Sequence, residues 1–345
     1  MSREDCVMDA EQGTKYVELR IADAREMATA ACLACGCNPE TAQSLVDATI
    51  SAACFGSWDM GFPHLLDFLD ALVGGRINGA AAPVVSSPLP AFIHVDADGG
   101  IAQLGFDMAF NALANAAKTF GVAIFSQRNS FTTGEMGYYV RRLAVDGLVG
   151  LAFANGPALM TVPGATQKVY CTNPVSFGSP SSSEGRLVLV DQASSAAAFP
   201  SVRRAAERGG KIPIGWAIDR SGQPTDDAIE AVEGALVPFG GYKGGNIALI
   251  VELLAVGLSG ASWSMDGSDF LSGSKSPDSG LTIIAISPAA GDPAYGARIQ
   301  SHVARLETVG VRVPGAAAGS APPANIRLAI DLIQKLRDVS KRTTV

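Results

Sequence analysis

Between Pro83 and about residue 289 the chain repeats one device: short runs of β-branched or aromatic residues, each closed off by a cluster of Gly, Pro, Ser or Asn. The runs fall at 91–95, 122–126, 148–154, 187–190 and 281–286. Runs of that length bounded by turn formers read as strands. Helical repeats separate some of them, at 101–119, 137–146 and 245–258. The middle of the chain is therefore expected to be a mixed α/β body around a sheet, with loops at 272–279 and 316–324.

Helical patterns crowd the two ends. Residues 21–35 have helical spacing and Gly36 suits the position just past a helix. Asn38-Pro39 offers an N-cap followed by a first-turn proline, and Ala42, Leu45, Val46, Thr49 and Ala53 form one stripe of a second helix. Leu65, Leu66, Leu69, Leu72 and Val73 make a third, stopped by Gly74-Gly75. Residues 325–339, with Ile326, Ile330, Ile333 and Leu336 apolar, read as a closing helix, and residues 1–15 as a loose tail.

Composition removes several function classes. With 345 residues, 48% of them hydrophobic and 17% charged, the chain can bury a full core, and the length suggests two domains. Lys and Arg number 26 against 33 Asp and Glu, with no basic run, so the footprint for binding nucleic acid is missing. The longest apolar stretch, 247–258, contains Glu252 and is too short to span a bilayer, which takes roughly 20 residues. Glu4, Asp5, Asp9 and Glu11 fit neither a secretory signal nor a transit peptide, so a cytoplasmic protein with reduced thiols is expected. Cys32, Cys35 and Cys37 lack the second ligand pair that a structural zinc site needs; they read as small buried side chains at a helix end, and no metal is expected.

The dinucleotide fingerprint G-x-G-x-x-G and the P-loop are both absent. Phe239-Gly240-Gly241-Tyr242-Lys243-Gly244-Gly245 is the best phosphate cradle, because glycines admit a ligand close to the backbone, a helix start offers unpaired N–H groups, and Lys243 adds a charge. A glycine-rich turn with a solvated lysine is the competing reading. Segment 215–226 is dense in turn formers, and Cys171-Thr172-Asn173-Pro174 is extended because proline disfavours helix before it.

The order of these pieces, from about residue 17 to 314, resembles the malate/L-lactate dehydrogenase-like oxidoreductases, a family that includes sulfolactate, ureidoglycolate and diketogulonate enzymes and Δ1-piperideine-2-carboxylate reductases. The most specific matches are Gly75-Arg76-Ile77-Asn78, Gly137-Tyr138-Tyr139, Thr172-Asn173-Pro174, the 215–226 stretch, and Gly240-Gly241-Tyr242-Lys243-Gly244 with Glu252-Leu253-Leu254 after it. The resemblance implies a non-Rossmann α/β fold: a largely antiparallel cofactor-binding sheet, with a helical domain formed from both chain ends. On that basis 16–82 is an N-terminal helical domain completed by 290–345, and 83–289 binds cofactor and substrate. An intertwined homodimer, NADP or NAD as cofactor, and a small-molecule carboxylate substrate are also implied. Asn129, Ser130, Thr132, Thr172, Asn173, Pro174, Tyr242, Lys243 and Gly244 become the candidate cofactor-binding residues, and Arg128 a candidate partner for a 2′-phosphate.

The departures matter as much. Where relatives read Ser-His-Gly-x-x-x-Arg, this chain reads Asp59-Met60-Gly61-Phe62-Pro63-His64-Leu65, so Met60 stands at the proton-donor position and Leu65 at the carboxylate-binding one. Relatives' Asn-Ser-x-His-Phe-Gly corresponds to residues 129–134, with Thr132 in place of a second histidine. The family aspartate after a hydrophobic strand falls on Asp191.

Reducing a carbonyl calls for a proton donor as well as a hydride, whereas a cyclic imine can arrive already protonated and then needs a hydride, a pocket and a nearby negative charge. The leading expectation is thus an NAD(P)H-dependent reductase of a small cyclic imine carboxylate, with Asp59 and Asp191 facing the cationic nitrogen. The alternative is a 2-hydroxy-acid/2-keto-acid dehydrogenase with His64 as donor, against which stands His64 as a solvated first-turn residue. A second alternative is a non-catalytic cofactor-binding relative.

Overall fold

The computed structural model describes residues 6–8, 15–56, 58–181, 186–315 and 322–341. In chain order the strands are β1 (Cys6–Met8), β2 (Lys15–Arg20), β3 (Val84–Leu89), β4 (Phe92–Asp96), β5 (Val122–Ser130), β6 (Val149–Ala154), β7 (Val175–Pro180), β8 (Leu187–Gln192), β9 (Ala217–Ile218), β10 (Pro224–Thr225), β11 (Ala235–Leu236), β12 (Ser279–Ile286) and β13 (Asn325–Ala329). The helices are α1 (Ile21–Ala34), α2 (Pro39–Phe55), α3 (Phe62–Val73), α4 (Ala102–Phe120), α5 (Gly137–Val145), α6 (Phe199–Glu207), α7 (Ala228–Glu233), α8 (Tyr242–Glu252), α9 (Tyr295–Thr308) and α10 (Ile330–Ser340). None of the described helices is long and apolar enough to cross a membrane.

The N-terminal helices pack on one another and on the end of the chain. Asn38 caps α2 by accepting the Thr41 N–H at 2.8 Å, with Pro39 in the first turn. Ala24, Ala28, Leu45, Phe62, Leu65 and Phe68 share one core with Ile326, Leu328, Leu332 and Leu336. That sharing is possible because β13 pairs antiparallel with β2, Ile326 opposite Leu19, which lays α10 beside α1. Cys32, Cys35 and Cys37 are buried in this core. Among the described residues of 290–345, β13 and α10 join the unit, while α9 packs elsewhere, its Tyr295 hydroxyl 2.9 Å from Ser179 Oγ on β7. Of the expected tail, residues 6–8 pair with β2 as β1, Lys15 already lies in β2, and the rest falls outside the described residues. Of the expected loop at 316–324, residues 316–321 fall outside them too.

The large sheet runs β3-β4-β5-β12-β6-β7-β8. β4 and β5 are parallel, and every other neighbouring pair is antiparallel. Alternation along the strands sends side chains to two faces. Ala152, Ala154, Ile283 and Ala285 meet Phe106 of α4 and Tyr139 of α5 on one face, while Leu151, Phe153 and Ile284 meet Val251 and Ala255 on the other. Phe106 sets its ring edge-on to Tyr139 at 5.0 Å and to Phe125 at 5.7 Å. A smaller sheet, β10-β9-β11, packs with α6 and α7 around Met160, Phe199, Val202 and Leu236.

Three helix boundaries differ from the sequence pattern: of the closing helix expected over 325–339, residues 325–329 are instead the strand β13 paired with β2, and the helix opens at Ile330. The helix expected from 245 starts at Tyr242, because Gly241 takes a positive φ of 62° as its N-cap, open to glycine at no steric cost. Its end widens into a π-helix over Leu253–Gly257. The expected third helix opens at Phe62, with Met60 in a separate 3-10 turn, Trp58–Met60.

Candidate active site

A cavity of about 950 Å³ opens between the helical unit and the C-terminal half of the sheet. The α2–α3 junction forms one wall with Asp59, Met60, His64 and Asp67, joined by Ser201 and Arg203 of α6. The facing wall is the loop 132–136 and the end of β8, including Glu135 and Asp191. Phe55, Met136, Leu159, Leu189, Phe199 and Phe270 make the remainder largely apolar.

The strand wall is built rigidly. The Thr133 carbonyl accepts from the Tyr139 hydroxyl at 2.7 Å and from Gln103 Nε2 at 3.0 Å, which pins the loop ahead of α5. Glu135 and Arg141, both buried, pair at 2.8 Å, and Arg141 also donates to Ser51 Oγ at 2.6 Å and covers the Phe55 ring. Asp191 accepts the Gly137 N–H at 2.8 Å, and among the described residues no ion pair reaches it. Burial and then repulsion from Glu135 push its carboxyl up to about 7, against the lowering pull of the Gly137 N–H, Arg141 and the Met136 N–H. Asp191 is therefore a cavity-facing acid that exchanges its proton near neutral pH.

The helical wall holds its charges differently. Asp59 forms an ion pair with Arg204, so its carboxylate already has a counter-ion and is not left free to face a cation. His64 corrects the reading as a solvated first-turn residue: it is buried, its Nδ1 lies 2.8 Å from Asp67 Oδ2, and its ring meets Phe68 edge-on at 5.0 Å. Arg203 reaches both oxygens of Asp67, at 3.1 and 3.0 Å. Burial works to raise the Asp67 carboxyl, but the hydrogen bonds and charges of His64 and Arg203 hold it below the usual range. Leu65, at the position matching relatives' arginine, is sealed in the helical core and does not line the cavity.

The candidate cofactor residues divide into three groups. Thr132, Thr172 and Pro174 line the cavity, and the Thr132 hydroxyl is buried without a hydrogen-bond partner. Asn129, Ser130 and Asn173 do not line it but fasten the segments that do. Asn129 Nδ2 donates to Asp96 at 2.8 Å, Ser130 Oγ donates to the Ser279 carbonyl at 3.0 Å, and Asn173 Nδ2 donates to the Ala248 carbonyl and to Glu252, each at 2.8 Å. Tyr242 and Lys243 lie exposed at the start of α8 with Gly244 buried behind them, all three outside the cavity lining. Hydrogen bonds Gly244 N–H to Phe239, Phe239 N–H to Ser194, and Ser194 N–H to Thr172 nevertheless tie that start to the cavity wall. Arg128 is spent on Asp96 at 3.2 Å, away from the cavity.

Sequence reasoning missed Glu135, Arg141, Asp67, Arg203 and Arg204. The one signal was the Arg203-Arg204 pair in an otherwise apolar helix turn; nothing local marks their partners, which lie 136 and 145 residues away.

Comparison with known proteins places these residues in context. The sequence model of the malate/L-lactate dehydrogenase family matches residues 19–325. The chain is 36% identical over 285 residues to a Δ1-pyrroline-2-carboxylate/Δ1-piperideine-2-carboxylate reductase of Pseudomonas syringae pv. tomato, covering 81% of this chain and 82% of the relative. It is 33% identical over 304 residues to a (2R)-3-sulfolactate dehydrogenase (NADP(+)) of Chromohalobacter salexigens, covering 88% and 90%. The crystal structure of Δ1-piperideine-2-carboxylate reductase from Pseudomonas syringae superposes with a TM-score of 0.85 at 32% identity, over 93% of this chain and 99% of that one.

Proposed function

Because the chain belongs to the malate/L-lactate dehydrogenase family and is an oxidoreductase, we propose that it reduces a small cyclic imine carboxylate with NADPH or NADH. The observation that carries this reading is the Asp191 carboxyl in a cavity whose donor position holds Met60. The reductase names borne by its relatives supply the substrate class.

The nicotinamide cofactor would bring the hydride. Asp191 in its acid form passes its proton to the imine nitrogen, and the carboxylate left behind faces the iminium and stabilises it while the C=N carbon accepts the hydride. The product is the amine, and Asp191 recovers its proton from water. Repulsion from Glu135, itself paired with Arg141, favours the protonated form of Asp191. The apolar lining excludes water and strengthens these interactions.

Residues available for a dinucleotide fit one. The unpaired Thr132 hydroxyl, Thr172 and Pro174 border the cavity, and the Gly240-Gly241 turn leaves the first N–H groups of α8 open beside Lys243. Asn129, Ser130 and Asn173 position the walls, and Tyr242 and Gly244 shape the helix start. We read the fold as non-Rossmann with a largely antiparallel cofactor sheet, supported by a single parallel pairing, β4 with β5. The exposed apolar side chains of Tyr242, Leu249, Ile250 and Leu253 on α8 support a homodimer. Cys32, Cys37, Cys54 and Cys171, none in a disulfide, suit a reducing, cytoplasmic setting.

His64, oriented by Asp67 inside the cavity, supports a second reading, a 2-hydroxy-acid/2-keto-acid dehydrogenase with His64 as donor. NAD(P)H oxidation by the purified protein decides between them, using Δ1-pyrroline-2-carboxylate, Δ1-piperideine-2-carboxylate, pyruvate and oxaloacetate. Turnover of the imines is expected; turnover of the keto acids alone would transfer the assignment to His64.

A further inference from the structure

We propose that Arg203, assisted by the hydroxyl of Ser201, binds the carboxylate of the substrate. This rests on the substrate class argued above. Five acids line the cavity, Asp59, Asp67, Glu135, Asp191 and Glu307, so an anionic substrate can enter only where a cation offers donors not already in use.

The guanidinium groups near the cavity differ in that respect. Arg204 is committed to Asp59, and Arg141 to Glu135 and Ser51. Arg312 stands at the exposed mouth, where water screens it. Arg203 lines the cavity and spends only Nη2, on Asp67. Its Nη1 donates to no described residue, and its Nε is buried with no hydrogen bond, nearest to Glu207 at 3.7 Å. A guanidinium fixed through Nη2 by Asp67 presents its free Nη1 as a charge-assisted donor to a carboxylate. Ser201 also lines the cavity, and its hydroxyl makes no hydrogen bond to a described residue.

Asp67 is then a positioning residue: it aims Arg203 and His64 together and prevents the guanidinium from swinging into solvent. A cyclic imine without a carboxylate lacks the other half of this contact, which makes Arg203 a specificity determinant.

The test uses the full chain and the variants Arg203→Gln and Ser201→Ala. With Δ1-piperideine-2-carboxylate, Arg203→Gln should raise KM about 30-fold and leave the KM for NAD(P)H within about twofold, the scale of one or two charge-assisted hydrogen bonds. With Δ1-piperideine, which has no carboxylate, wild type and variant should not differ. Without turnover, calorimetry should show wild type preferring pyrrole-2-carboxylate to pyrrole-2-carboxamide and Arg203→Gln losing that preference. An unchanged KM and preference, or a rise confined to the KM for NAD(P)H, overturns the proposal. If Arg203→Gln fails to fold, Ser201→Ala decides: it removes one hydroxyl and should raise the imine-carboxylate KM about fivefold. If wild type reduces no imine at all, the functional reading falls, while the calorimetric arm still judges Arg203.

Discussion

The two walls of the cavity carry the same residue types in opposite electrostatic states. On the helical wall Asp59 and Asp67 each face an arginine of α6, and Asp67 is held ionised by its partners. On the strand wall Asp191 has a backbone N–H and a neighbouring acid but no counter-ion among the described residues, and its proton comes off near pH 7. A paired carboxylate is a fixed charge and can orient; an unpaired one beside a second acid can deliver a proton. The division of labour follows from which acid is given an arginine.

The largest expected break in that contrast comes from Asp191→Asn, which should lower kcat ~10² to 10⁴-fold, the usual contribution of a placed acid. The wild-type kcat should fall as pH rises through about 7, since the protonated form is the donor, and the variant should lose that limb. Steady-state rates across pH 5 to 9 check both. The same substitution should stabilise the fold at alkaline pH. A folded-state value of about 7 against an ordinary 3.8 means the folded protein holds this proton more tightly than the unfolded chain. Stability contributed by the acid form is complete below about pH 4 and lost as pH rises through about 7. Denaturant melts should therefore show Asp191→Asn more stable than wild type at pH 8 and similar to it at pH 4.

Smaller effects sharpen the contrast. Lys243→Ala, outside both walls, should raise the KM for the dinucleotide about tenfold with kcat nearly unchanged; an unaltered KM would remove the cradle at the start of α8. Asp59→Asn should change kcat less than about fivefold, because Arg204 already balances that charge. A loss matching that of Asp191→Asn would erase the distinction between the walls.

Local pattern made most of the scaffold legible. Asn38 and Pro39 announced the start of α2, Gly36 and Gly121 sit past helix ends with positive φ, and Asp219 closes the turn at Gly222 as its composition indicates. Chemistry was less legible. Asp191 could be placed after its strand, but its proton affinity depends on Glu135, which belongs to a loop 56 positions earlier and carries no local mark. The pairing of Asp59 with Arg204 was not legible from its sequence position, since a charge reads the same in a sequence whether or not a distant partner neutralises it. The glycines before α8 identified a helix start open to an anion, but not that this start stands one hydrogen-bonded layer away from the cavity.

The antiparallel pairing of β2 with β13 has a consequence for synthesis. The helices that form the first wall emerge from the ribosome early, yet the strand and helix that complete their core are encoded at 325–340. Contacts of such sequence separation close late. The nascent helical unit must therefore wait, half-assembled, until residues 325–340 have been translated before its core can close.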